Sequence, residues 1–160
     1  MKFLYFLLFL SLSNIVNALE KADLVLVNKS SRQMMLYKDG EVLQSYRISL
    51  GGDPIGHKVK EGDGKTPEGK YTLDFKKSDS SFYKAIRVSY PNIADRDNAR
   101  NLGVDPGGQI MIHGQRNGFG WLSSIVQFFN WTEGCIAVTN SEMEEIWSMV
   151  DVGTPIEINP

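Results

Sequence analysis

One cysteine and two histidines are all the soft metal ligands and thiol nucleophiles in this 160-residue chain. A lone thiol cannot close a disulfide within the chain, so the fold must hold without one. A zinc site would have to join His57, His113 and Cys135 to a carboxylate, and no recognisable ligand spacing supplies it. Basic clusters are missing as well: 17 Lys and Arg stand against 19 Asp and Glu, for a formal charge of −2. No Lys/Arg run interleaved with aromatics occurs, which excludes a polybasic nucleic-acid footprint. The N-terminal apolar run, Phe3 to Leu12, is too short to span a bilayer. Internal repeats, linkers and a second domain are absent.

What is present begins with a leader. Lys2, the apolar run and the small-residue site Val16-Asn17-Ala18 have the layout of a signal peptide over residues 1–18, with a retained N-terminal anchor as the alternative. Either way the expected folded part, residues 19–160, lies outside the cytoplasm. Removing the leader costs one lysine and no acid, which takes the formal charge from −2 to −3. A mature chain of this size suits a single domain with a proper core. An unpaired thiol is unusual in an exported protein unless it is chemically employed.

Along the mature chain, Leu24–Val27, Met34–Tyr37 and Val42–Leu50 read as a β-meander, with an Asp39-Gly40 turn between the last two. Gly51–Gly69 is a long, polar loop rich in glycine and charge, a candidate substrate rim or a disordered segment. Tyr71–Phe75, Ile86–Tyr90, Gln109–His113 and Pro155–Ile158 read as further strands. Ile93–Leu102 predicts a short helix ended by Gly103. Ser141–Val150 predicts a second, capped by Asn140 or Ser141, with Glu144 and Glu145 at the positive end of its dipole. Its apolar stripe of Met143, Ile146, Trp147 and Val150 is ordinary core packing.

A cysteine attacks a carbonyl as thiolate, and at an ordinary pKa of about 8.5 it needs a base. His113 closes the apolar lead-in Ile110-Met111-Ile112, whereas His57 sits in the polar loop, so His113 is the candidate partner of Cys135. Gly134 allows close backbone approach, and the amides around Gly134 and Cys135 are candidate oxyanion donors. The plainer alternative is a buried cysteine used as a small hydrophobe beside a histidine at a strand end.

His113-Gly114 followed by Thr132-Glu133-Gly134-Cys135 resembles the signature of the YkuD-type L,D-transpeptidase catalytic domain. Gly62-Asp63-Gly64-Lys65-Thr66-Pro67-Glu68-Gly69-Lys70-Tyr71 resembles that family's Thr-Pro-x-Gly element, and Pro106-Gly107-Gly108 and Trp131 extend the likeness from Asp23 to Pro160. The resemblance implies a mainly β, barrel-like sandwich with one or two peripheral helices. It implies that Cys135 attacks the carbonyl between an L- and a D-centre of a peptidoglycan stem tetrapeptide, releases D-alanine and holds a thioester. An amine, including that of a protein to be attached to the wall, or water then resolves it. It also implies His113 as general acid and base, oriented by the Gly114 carbonyl. No metal or organic cofactor is required, carbapenems are expected to acylate Cys135, and the expected location is the periplasm. The remaining readings are an L,D-carboxypeptidase or amidase, a non-catalytic peptidoglycan-binding module, and a peptidase of ordinary proteins.

Three departures from the family pattern stand out. Position 137 carries Ala137 where many relatives have an arginine, with Arg116 as a candidate substitute and Thr132 and Gly134 in the cysteine loop. Glu133 would raise the thiol pKa if it faced Cys135. The stretch from Phe119 to Phe129 is an apolar insertion: a lid, a surface for membrane or partner protein, or core.

Overall fold

Period-two burial sets the first two strands, and the Asp39-Gly40 turn brings the third alongside them. In the computed structural model, which describes residues 20–160, β1 (Leu24–Asn28) buries Val25 and Val27. β2 (Gln33–Lys38) buries Met34 and Leu36, and β3 (Glu41–Arg47) buries Tyr46. The signal-peptide expectation for residues 1–18 lies outside the described residues. Asp39 and Gly40 both have positive φ, at 51° and 84°, as a two-residue type I′ hairpin requires. The remaining elements are β4 (Gly69–Lys77), β5 (Ala85–Val88), α1 (Ile93–Leu102), β6 (Met111–His113), α2 (Ser123–Val126), β7 (Ile136–Ala137), α3 (Asn140–Met149) and β8 (Pro155–Asn159).

The strands form one curled sheet in the order β3-β2-β1-β8-β4-β5-β6-β7, antiparallel except where β1 meets β8 and β6 meets β7. This is the mainly β, barrel-like architecture expected, with two ten-residue helices. The third strand was expected to run to Leu50 but stops at Arg47. Beyond it, Ser49 crosses to the opposite edge and exchanges backbone hydrogen bonds of 2.9 and 2.8 Å with Ala137 of β7. The two free edges thereby satisfy one another, leaving fewer open donors and acceptors for chance pairing. β6 starts at Met111 rather than Gln109, because Gln109 turns the chain with φ 57°.

α1 has a capping box between Asn92 and Asp95 and ends on Gly103, as its sequence indicates. α3 starts one residue before expectation, and its cap is Thr139 rather than Asn140 or Ser141. Glu142, three residues on, accepts from the Thr139 amide at 2.8 Å and closes the box, so Glu142 occupies the first turn assigned to Glu144 and Glu145. Met143, Ile146, Met149 and Val150 enter the same core as the sheet's inward residues, while half-buried Trp147 lies 4.8 Å from Lys76 Nζ. No helix among the described residues is long and apolar enough to cross a membrane.

The polar segment 51–69 is not regular structure, yet it is tightly tied. Lys29 buries its ammonium there, donating to the Gly56 and Thr66 carbonyls and to Glu68. Asp63 accepts from the amides of Val59, Lys60 and Lys65 and from Lys58 Nζ at 2.9 Å. His57 accepts from the Glu68 amide through Nδ1, which places its proton on Nε2, 3.2 Å from Asp95 of α1. That is a structural role, and no cluster of metal-ligating side chains occurs among the described residues. Burial alone would raise the Asp63 carboxyl, but the Lys58 ammonium and the three amides more than offset it and hold it well below the usual carboxylate range.

Asp63→Asn leaves the Lys58 ammonium buried against a neutral partner and is expected to cost about 3 kcal/mol in urea unfolding at pH 7. Because the folded carboxyl is depressed, the difference from wild type should be full above the unfolded value of 3.8 and shrink only as pH falls below it. A variant as stable as wild type at pH 7 would show that the clamp is dispensable.

Candidate active site

The parallel pairing of β6 with β7 puts Ile112 opposite Ile136 and His113 opposite Ala137. Ile112 and Ile136 are both fully buried in the core, so strand alternation turns Met111, His113 and Cys135 to the outer face. Cys135 immediately precedes β7, two residues before the Ala137 that pairs with His113. Ordinary sheet spacing separates the two backbones by about 8 Å, within reach of an imidazole and a thiol on one face. Cys135 Sγ lies 3.5 Å from the Gln109 carbonyl oxygen.

His113 is 2 % exposed, and its Nδ1 lies 2.6 Å from the Gly114 carbonyl oxygen. A carbonyl can only accept, so Nδ1 carries the proton and Nε2 is left with a free lone pair. Phe82 stacks on the imidazole at 4.1 Å between centroids, and Trp131 meets it edge-on at 5.8 Å. This enclosure pushes the imidazole pKa below its ordinary 6.5 by desolvation, with the Gly114 carbonyl opposing. Gly114 has no room for a side chain: a Cβ there would sit 2.7 Å from Asn140 Oδ1 and 2.9 Å from the Tyr83 carbonyl oxygen.

Burial also pushes the Cys135 thiol up, with the Met111 amide and the Lys58 ammonium opposing. Both shifts favour the uncharged forms, thiol and neutral imidazole, over an ion pair. Glu133 is exposed and is no part of this balance. Thr132 organises the loop from both sides: its Oγ1 accepts from the Gly134 amide at 3.1 Å and donates to the Cys135 carbonyl at 2.7 Å. The Gly134 amide is therefore engaged, while the Cys135 amide has no protein acceptor among the described residues. Gly134 adopts φ 119°, and the 51–69 segment runs directly beneath it, with the Lys65 carbonyl oxygen 2.4 Å from where a Cβ would be.

Arg116 is exposed, forms no ion pair among the described residues, and joins the site through a backbone bridge to Phe82. Ala137 faces the same side as Cys135 and is fully buried. The apolar insertion is not core: Phe119, Trp121, Ile125, Phe128 and Phe129 are each at least half exposed. The residue it sends inward is Gln127, whose amide donates to the Arg47 and Ala137 carbonyls and accepts from Ser49 and Gln115. Sequence reasoning missed Gln127, Gln115 and Phe82. Phe82 lies in a Ser-rich stretch with no periodicity, and nothing in the sequence brings it over His113.

Comparison with known proteins places this geometry in context. The model of the L,D-transpeptidase catalytic domain matches residues 22–158. YafK of Escherichia coli (strain K12) is 36% identical over 128 residues, covering 76% of this chain and 44% of that protein. Among solved structures, the helical cell shape determining protein Pgp2 from Campylobacter jejuni superposes with TM-score 0.65 at 28% identity, over 87% of this chain and 48% of that one. An L,D-transpeptidase from Mycobacterium smegmatis shares the fold at TM-score 0.58 and 20% identity, over 87% and 59% of the two chains. The chain spans about half the length of these relatives.

Gly134→Ala is expected to lower the unfolding free energy by about 1–3 kcal/mol, since it combines a positive φ with a backbone collision. Chemical denaturation reads this directly, and an unchanged midpoint would show that the 51–69 segment yields freely.

Proposed function

Since the chain belongs to the L,D-transpeptidase catalytic-domain family, we propose that residues 19–160 form an exported, periplasmic enzyme that rearranges peptidoglycan stem peptides through a thioester on Cys135. Residues 1–18 act as the signal peptide. The observation that carries the reading is the β6/β7 register, which sets His113 beside the short strand that Cys135 immediately precedes, the imidazole held in a single tautomer by the Gly114 carbonyl.

From that arrangement the chemistry follows. Nε2 of His113 takes the thiol proton as Sγ attacks the carbonyl that follows the L-centre. The Cys135 amide donates to the oxyanion of the tetrahedral intermediate, and Thr132 and Gly134 hold the loop that aims it. Collapse breaks the C–N bond, His113 returns its proton to the departing amine, and D-alanine leaves. The acyl group remains on Sγ until an amine or water attacks and regenerates the thiol. An amine acceptor makes the enzyme a transpeptidase, or an attachment enzyme when the amine belongs to a protein. Water makes it a carboxypeptidase. The proton moves only during attack because the resting pair is neutral.

Purified wall material incubated with the protein is expected to yield new dimers, and mass analysis of the products identifies the acceptor: shortened monomers mean water, and released protein means amidase action. Cys135→Ala must abolish every product, and a wall left unchanged by the intact protein would mark a binding module. The pH profile adds a second check. Because burial lowers the His113 pKa, activity should persist below pH 6.5 and fall only as Nε2 becomes protonated at lower pH. A limb centred above 6.5 would contradict the enclosed, neutral base.

A further inference from the structure

Beside the thiol lies a cavity of about 330 Å³ whose lining includes Asp74, Arg87, Ser89, Arg96, Gly108 and Gln109. Gln109 joins it to the site, because its carbonyl oxygen is the group 3.5 Å from Cys135 Sγ. Cross-strand register adds a second link. Arg87 of β5 pairs with Met111 of β6, and Met111 is followed by Ile112, which pairs with Ile136, the residue after Cys135. Ile86 and Val88 are fully buried, so Arg87 turns outward. Arg87 and Met111 thus stand side by side on the outer face, on the strands that lead to the thiol.

The cavity's charge is unbalanced. Asp74 is neutralised by Arg87, whose Nε and Nη2 bond its two carboxylate oxygens at 2.8 and 3.2 Å. Arg96 has no carboxylate partner among the described residues; its guanidinium donates only to the Pro91 carbonyl. One arginine charge is therefore left over at the cavity, with N–H donors to spare in the planar fork that suits a carboxylate. Position 137, opposite His113, holds a buried alanine and supplies no cation there.

We propose that this cavity is a carboxylate-binding subsite in which Arg96, backed by Arg87, holds an acid group of the peptide whose carbonyl Cys135 attacks. The inference rests on the thioester reading above. Two carboxylates of a stem peptide share the chemistry: the C-terminal one of the leaving residue, and the free one on the side chain of the diamino residue.

Calorimetric binding to the Cys135→Ala protein separates them without turnover. Three tetrapeptides are compared: the free acid, the C-terminal amide, and the peptide amidated on the diamino side chain. The protein is expected to prefer the free acid over one of the two amides by about tenfold or more, as a charge-assisted pair predicts, and that amide names the carboxylate. Arg96→Gln should bring the ratio close to one, Arg96→Lys should keep part of it, and Arg100→Gln, on the same helix, should leave it intact. Equal affinity for all three peptides overturns the proposal, as does a preference that survives Arg96→Gln. Failure of the intact protein to process wall material would count against the thioester reading alone, because the preference is read from binding.

Discussion

The parallel pairing of two very short strands, β6 and β7, is the constraint from which the site follows. Ile112 opposite Ile136 fixes which residues face the core and which face out, and a slip of one residue would send Cys135 inward and Ile136 into water. Parallel neighbours cannot be joined by a tight turn; they need a crossover of a dozen or more residues, usually carrying a helix. The stretch from Gly114 to Cys135, with α2 inside it, is that crossover. Its length is thus a topological requirement, and only its exposed apolar surface calls for a reason beyond the fold.

The crossover also seals the curl of the sheet. Gln127 donates to Arg47 at the end of β3 and to Ala137 of β7, the two outer edges, and its oxygen accepts from Ser49 and Gln115. All its polar capacity is used, which is the condition under which a buried amide stabilises rather than costs. Gln115 adds a bond to the Val138 carbonyl, and Asn140 takes the Gln115 amide. Ala137 is packed under this network and is part of the seam.

How far the sequence revealed this depends on the range of the interaction. The strands β1, β2 and β8, the helix α1 and the Asp39-Gly40 hairpin were legible because alternation, capping residues and turn chemistry are local. The start of α3 was misplaced by one residue because two plausible caps adjoin Thr139, and only the reciprocal bond with Glu142 decides between them. β7 has two residues, too few for any period, and exists only because β6 and Ser49 flank it. His113 and Cys135 stand out in the sequence as scarce reactive types, and the fold sets His113 beside the strand that Cys135 precedes. Phe82, Gln127 and Arg96 do not stand out, since each acts across folded distance with no local mark.

The enclosure of His113 sets how the pair can work. Phe82 and Trp131 strip water from the imidazole, and the same burial disfavours the thiolate, so charge separation in the resting state is opposed from both sides. The Gly114 carbonyl partly offsets this on the histidine, and the Lys58 ammonium and Met111 amide do so on the thiol. Trp131 Nε1 is itself buried with no acceptor among the described residues. A pair held neutral in a dry pocket is a weak nucleophile toward whatever diffuses past. On the proposed mechanism, a bound carbonyl would change this, because the charge created by proton transfer would be met by the Cys135 amide, a donor already in place.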